Sequence, residues 1–514
     1  MKVFSSRAIR KIVNNLKHKK MFMIFITAAI FIFIIGIGIY RIKMSNYTVF
    51  EEIISKIQKL NEYEIDAVYY DEEKIIEGTE KIIYVNNTNK TLDSLYFHIY
   101  PNVFKKRDTV PFDKNEIEIA YINGFEPGYI NIKSVKSTKE GLSYLIIGKG
   151  NSILKVKLNE GLEPEDSIKI YINFMVKIPP ASGRFGYGKN TINIANWYPI
   201  AAVIDNSGWN LEPYYSIGDP FYSDVSNYRV TMTMPQNYII ASTGDLIKRE
   251  SIEGNYKWSF EAKKVRDFAM IASSKYKIAE DDVDGIAVRS YYFDDESAEI
   301  SLNAAKDAIK IFNKIFGKYP YKHFSVAASD FFIGGMEYPK LVFIDEGMYK
   351  GNDEILEYII VHETAHQWWY GLVGNNEVKE AWLDEALTEY STLLYYENKY
   401  GKEVKNKVYK EIILGGYNRF RSSIRDNKEV LLKDLGKFNN SREYHALVYC
   451  KGAMFFESLR RELGDKVFFD ILKVYYDKYK YKNATTEDFI KLCEIVSDRE
   501  LKSFFNKWLL GQKE

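Results

Sequence analysis

Apolar residues follow three regimes along this chain. The first is an unbroken run, MFMIFITAAIFIFIIGIGIY over residues 21–40, without a single charge. At 1.5 Å per residue, a helix of about twenty residues spans roughly 30 Å, the thickness of a bilayer hydrocarbon core. Arg7, Arg10, Lys11, Lys17, Lys19 and Lys20 precede it, which predicts a cytoplasmic N-terminus. The run IGIGIYRIKMSN offers no small-residue cleavage pattern, so an uncleaved anchor is expected rather than a signal peptide. The expectation is a single-pass cell-membrane protein. Residues 1–20 form a basic cytoplasmic tail, 21–40 a transmembrane anchor, and everything after Arg41 is extracytoplasmic.

The second regime begins after a short helical stretch. Phe50, Ile53, Ile54, Ile57 and Leu60 recur at helical spacing, which predicts a stalk or lead-in helix within 41–64. From 65 to 285 the period drops to two. Tyr228, Val230, Met232 and Met234 alternate with Arg229, Thr231 and Thr233, and KIIYVNNTNKTLDSLYFHIY holds two β-rich runs around an Asn/Thr turn. The third regime is helical. Ala305, Ala308, Ile309, Phe312 and Phe316 share one face, and Gly317 is placed to end that helix. The fold class is therefore α+β: an N-terminal transmembrane helix, a β-rich domain over 65–285, a helix-rich domain over 286–470 and terminal helices over 471–514.

Composition narrows the function classes. The chain is 46% hydrophobic and 27% charged with 12 prolines, an ordinary globular balance. Seven of its 71 Lys and Arg lie in residues 1–20, which hold no acid, so the rest carries fewer bases than its 70 acids. That body has no basic surplus to hold nucleic-acid phosphates. Cys450 and Cys493 rule out a disulfide scaffold; they are either two free thiols or one bridge.

Histidine is scarce, six in all, yet two lie in His362-Glu363-Thr364-Ala365-His366. Ile355, Ile359, His362 and His366 fall on one helical stripe, so both imidazoles can reach one ion. Neutral imidazole suits zinc, which at catalytic sites takes three protein ligands and leaves one position open. A carboxylate on a neighbouring helix should complete the set. Glu385 stands in EAWLDEALTEYSTLLYY, where Ala386, Leu387, Tyr390, Leu393 and Leu394 form an apolar face. Two His and a Glu make an open set that lowers the pKa of bound water. Glu363, next to His362, is placed to take a proton from that water. Glu389, one turn past Glu385, either holds a ligand imidazole by its second nitrogen or lies on a solvated face; spacing leaves both open. His98, His323 and His445 fit no ligand spacing. One Zn2+ per chain is the expected cofactor.

These residues sit among further motifs that resemble the gluzincin aminopeptidases, the family of aminopeptidase N and the bifunctional leukotriene hydrolase. Gly334-Gly335-Met336-Glu337-Tyr338-Pro339 is similar to that family's Gly-x-Met-Glu-Asn strand, with Glu337 standing 25 residues before His362. His366-Gln367-Trp368 and Trp382-Leu383-Asp384-Glu385 match the flanks of the metal motif, and Tyr449-Cys450-Lys451-Gly452 resembles Tyr-Glu-Lys-Gly. NWYPIAAVIDNSGW is similar to the β domain of bacterial, membrane-linked members.

The resemblance implies a saddle-like β domain followed by a thermolysin-like catalytic domain. It implies that Glu337 binds a substrate α-ammonium, that Gly334, Gly335 and Met336 line the substrate strand, and that Tyr449 steadies the oxyanion, with Tyr444 as second choice. Asp384 and Ala386 depart from the family's Asn and Gly. The family's glutamine-rich substrate strand has no clear match, and its long helical C-terminal domain is expected to be absent or truncated. The function expected is a membrane-anchored zinc metallo-aminopeptidase acting on extracytoplasmic peptides with a free N-terminus. The alternatives are a thermolysin-type endopeptidase and a non-catalytic peptide-binding or sensor module. Glu337 argues against the first, because an internal peptide bond presents no ammonium.

Overall fold

The computed structural model describes residues 59–294, 297–424 and 429–511. The basic tail, the anchor at 21–40 and most of the lead-in segment lie outside the described residues. Among the described residues no helix is long and apolar enough to cross a membrane. The longest, Ala298–Ile315 and Trp382–Tyr400, carry charges within their length, Glu299, Lys306 and Lys310 in one and Asp384, Glu385 and Glu389 in the other. The single-pass, extracytoplasmic localisation is therefore withdrawn.

The end of the expected lead-in helix is strand. Asn61–Tyr70 buries Tyr63, Ile65, Ala67 and Tyr69 and turns Glu62, Glu64 and Asp66 outward, a period of two that overrides the helical spacing before it. It pairs in parallel with Ser226–Pro235 and antiparallel with Ile75–Val85 inside a seven-stranded sheet. The two β-rich runs around the Asn/Thr turn are not partners. Ile75–Val85 stays in the seven-stranded sheet, whereas Leu92–His98 belongs to a four-stranded sheet with Ile153–Leu162. Alternation identifies a strand but carries no information about its neighbour.

A five-stranded sheet leads to the helices, in the order Lys277–Val283, Ile286–Tyr292, His323–Ser329, Leu341–Asp345, Gly335–Met336. The expected boundary at 285/286 falls in the turn between its first two strands. Its three inner strands run parallel, and the short Gly335–Met336 strand lies antiparallel along the far edge.

Helix α1, Ala298–Ile315, packs Ala304, Ala305, Ala308, Ile309 and Phe312 inward. Gly317 follows at φ +151°, where a Cβ would meet the Tyr476 ring at 2.4 Å. Helix α2, Asp353–Ala365, starts on an Asn352 cap that accepts from the Ile355 amide. Helix α3, Trp382–Tyr400, is buried from Trp382 through Tyr396. Among the described residues two hydrophobic cores result. One fills the β-rich part from Tyr63 to Phe343, the other the helical part from Ile286 to Leu509. Cys450 and Cys493 are free and buried.

Candidate active site

Helices α2 and α3 meet at a cavity of about 430 Å³. On α2 the core is taken by Leu356, Ile360 and Val361. The stripe of Ile359, His362 and His366 is left to face the cavity, with Ile355 at its exposed end. Residues four apart share a face, so the two imidazoles arrive together. Glu385 reaches them from α3, its Oε2 lying 3.5 Å from His362 Nε2 and 3.3 Å from His366 Nε2.

Each imidazole is held by its other nitrogen. His362 Nδ1 is 2.8 Å from Glu389 Oε2, and Glu389 Oε1 accepts from Tyr358 at 2.6 Å. Glu389 is 3% exposed, which removes the solvated-face reading. His366 Nδ1 lies 3.0 Å from the Trp369 carbonyl and 3.2 Å from Thr388 Oγ1. Both Nε2 atoms are thereby aimed at Glu385.

The three donor atoms lie within 4.8 Å of one another, and Glu385 Oε2 is buried without a hydrogen-bond partner. Two imidazole nitrogens and one carboxylate around an orphaned oxygen fit zinc. Glu337, His366 and Asp384 form a second such cluster, but it shares His366 and lacks the oriented His362. Burial alone would push the His362 pKa down, yet the Glu385 and Glu389 carboxylates beside its two ring nitrogens hold it up, to about 10. His366 is raised in the same way, against its burial, by Glu337 and Glu385. Glu385 is held below the usual carboxylate range by the two imidazoles despite its burial.

The remaining predicted residues surround this centre. Glu363 lines the cavity, and its Oε2 is buried and unpartnered; burial raises its pKa. Gly334, at φ +89°, and Gly335 line the same cavity. Glu337 follows them, 3% exposed with an unpartnered Oε1, and burial raises its pKa also. Met336, expected on the substrate strand, does not line the cavity. Successive strand residues point to opposite faces, and its Sδ accepts from Arg184 Nε at 2.9 Å.

Tyr449 lies in a π-helical turn, His445–Lys451, a deviation common at functional sites. Its hydroxyl donates to Glu385 Oε1 at 2.6 Å, and burial, reinforced by the Glu385 charge, pushes its pKa up. Tyr444 lines the same wall, with its ring centroid 5.6 Å from that of Tyr449. The departures from the family pattern are accommodated. Asp384 Oδ1 accepts from the Glu385 amide at 2.9 Å, and burial raises its pKa. The Ala386 methyl lies where a Cβ on Gly452 would be, 2.3 Å away.

Several cavity residues escaped the sequence reading. Arg184 and Asp219 enter from the β-rich half as an ion pair. His445, which fits no ligand spacing, lines the wall, while His98 and His323 are buried elsewhere, against the Asn210 carbonyl and Asp245 respectively. Tyr358 was within reach of spacing, being four residues before His362; Arg184 and Asp219 were not, because long-range packing alone brings them in.

Residues 300–508 match the Peptidase family M1 domain. Aminopeptidase N of Lactococcus lactis subsp. lactis is 26% identical over 228 residues, 42% of this chain and 26% of that protein. The mitochondrial Aminopeptidase 2 of Saccharomyces cerevisiae is 27% identical over 228 residues, 42% of this chain and 23% of its own length. The chain thus spans about a quarter of the length of these relatives. In three dimensions it is similar to an M1 zinc metallopeptidase from Deinococcus radiodurans, with a TM-score of 0.64 at 14% identity over 89% of this chain and 96% of that one.

Proposed function

We propose that this protein is a zinc aminopeptidase that hydrolyses the first peptide bond of peptides with a free N-terminus. The observation that carries the reading is Glu337, a buried carboxylate with an unpartnered oxygen on the wall of the same cavity as the zinc-type donor set. A buried carboxylate oxygen with nothing to accept from is costly. An α-ammonium, mostly protonated near neutral pH because its pKa is about 7.7–8.0, would satisfy it by a charge-assisted hydrogen bond.

His362, His366 and Glu385 would hold one zinc ion. Bound there, zinc supplies a Lewis acid and an acidified water. Glu363 takes the proton of the attacking water and passes it to the leaving amine; its burial raises its affinity for that proton. Tyr449, kept protonated by burial, would turn its phenol hydrogen from Glu385 Oε1 to the oxyanion. Gly334 and Gly335 leave room for the substrate backbone beside the strand edge. Glu389 fixes the orientation of His362.

The test is metal content together with activity on aminoacyl reporters bearing free and blocked N-termini. One zinc per chain and cleavage confined to free amines support the reading. Cleavage of blocked peptides at internal bonds would move it to the endopeptidase alternative.

A further inference from the structure

The turn after α2 is tied to the β-rich half by one buried guanidinium. Arg266 is 2% exposed. Its Nε donates to the Tyr370 carbonyl at 2.6 Å, and its terminal nitrogens donate to the carbonyls of Ser223 at 3.0 Å, Leu372 at 3.4 Å and Lys482 at 2.5 Å, and to the Asn483 side chain. Every one of these acceptors is neutral. A planar fork of five N–H groups can serve so many at once, whereas an ammonium offers three hydrogens from one point. Gly374 clears the space: a Cβ there would stand 2.1 Å from Arg266 Cζ.

The backbone that Arg266 grips is strained. Tyr370 has φ +114°, a region that a non-glycine residue keeps only where the surroundings impose it. Its amide donates to the Val373 carbonyl at 2.8 Å, and the Gly371 amide donates to the His366 carbonyl at 2.8 Å. The residue before Tyr370 is Trp369, whose carbonyl receives His366 Nδ1 at 3.0 Å. Arg266 is therefore one peptide unit away from the acceptor that fixes the tautomer and ring orientation of a metal-site histidine.

We propose that Arg266 is a positioning residue for the metal centre, holding the 369–374 turn from the β-rich half so that the Trp369 carbonyl keeps His366 Nε2 aimed at the ion. The inference rests on His366 being a zinc ligand. Acceptors behind metal-binding histidines are worth about 10–100-fold in metal affinity. Arg266 also binds the 482–483 segment, so it joins three separate stretches of chain at one point.

The experiment compares wild type, Arg266→Lys and Ile82→Ala. Ile82 is fully buried in the β-rich core, away from the turn, and controls for general loss of stability. Zinc affinity is read by chelator competition, and site geometry by the visible spectrum of the cobalt(II)-loaded protein. Arg266→Lys should bind zinc about 10–100-fold more weakly and shift the cobalt bands, whereas Ile82→Ala should lower thermal stability with both readouts unchanged. Wild-type affinity and spectrum in Arg266→Lys would overturn the proposal, as would an equal loss in Ile82→Ala.

Hydrogen exchange on wild type stripped of zinc tests the same point if the lysine variant does not fold. The amides of Tyr370, Gly371 and Val373 should stay protected, because the guanidinium rather than the ion holds the turn; their deprotection on stripping would overturn the proposal. His366→Ala separates the two levels. If that variant keeps its zinc, the metal-centre reading itself fails; if it loses zinc while Arg266→Lys does not, only the positioning role fails.

Discussion

Gly335 and Glu363 face each other so closely that a Cβ on Gly335 would lie 2.3 Å from Glu363 Oε1. The edge strand and the metal helix therefore meet at the carboxylate assigned as proton acceptor. Gly335→Ala should push Glu363 aside without touching a metal ligand. Displacements of about 1 Å cost roughly 10²-fold in rate, so turnover should fall by that order while zinc content, read by atomic absorption, stays at the wild-type level.

Removing the base chemically should look similar at the metal and worse in rate. Glu363→Gln keeps His362, His366 and Glu385, and loss of general-base catalysis is worth about 10²–10⁴-fold. Turnover and bound zinc measured on the same preparation check this. Normal turnover in Glu363→Gln would refute the assignment.

Glu389→Gln addresses orientation. The carboxylate contacts His362 Nδ1 at 2.8 Å, and its loss should weaken zinc binding by about 10–100-fold. Chelator competition measures the change. An unaltered affinity would return Glu389 to a packing role.

The imidazoles also set a pH dependence. His362, raised to about 10, and His366, also raised, hold protons at neutral pH in the absence of an ion. Zinc must displace them, so apparent affinity should rise with pH and fall as the solution is acidified, most steeply below the raised pKa of His362. The proton that His362 gains in the folded protein also stabilises it fully below an unfolded pKa of about 6.5, and that contribution fades as pH rises through about 10. Zinc titrations at several pH values check the slope, and a flat profile would contradict it.

The local parts of this site were legible in the sequence because their partners lie a fixed number of residues apart. His362 and His366 share a helical face, so period and spacing sufficed for them; spacing left Glu389 with two readings, and its burial against His362 Nδ1 decides between them. The alternation at Tyr228–Met234 gave its strand for the same reason. Contacts across sheets and halves of the molecule left no such trace. The separation of Ile75–Val85 from Leu92–His98 into different sheets, the Arg184–Asp219 pair and the Arg266 anchor depend on chain closure over long distances. Met336 lies off the cavity wall because a motif names residues, whereas the pleat decides which of them face the cavity.

Glu337 bears the central claim, so the decisive measurement is the rate on one matched pair of substrates, free and N-acetylated, with wild type and Glu337→Ala. Wild type should cleave the free amine and ignore the acetylated form. Truncating one partner of a desolvated charge pair costs about 2–5 kcal/mol, so Glu337→Ala should lose that much in kcat/KM on the free substrate, and its discrimination between the two should shrink. Equal wild-type cleavage of both substrates would contradict the account.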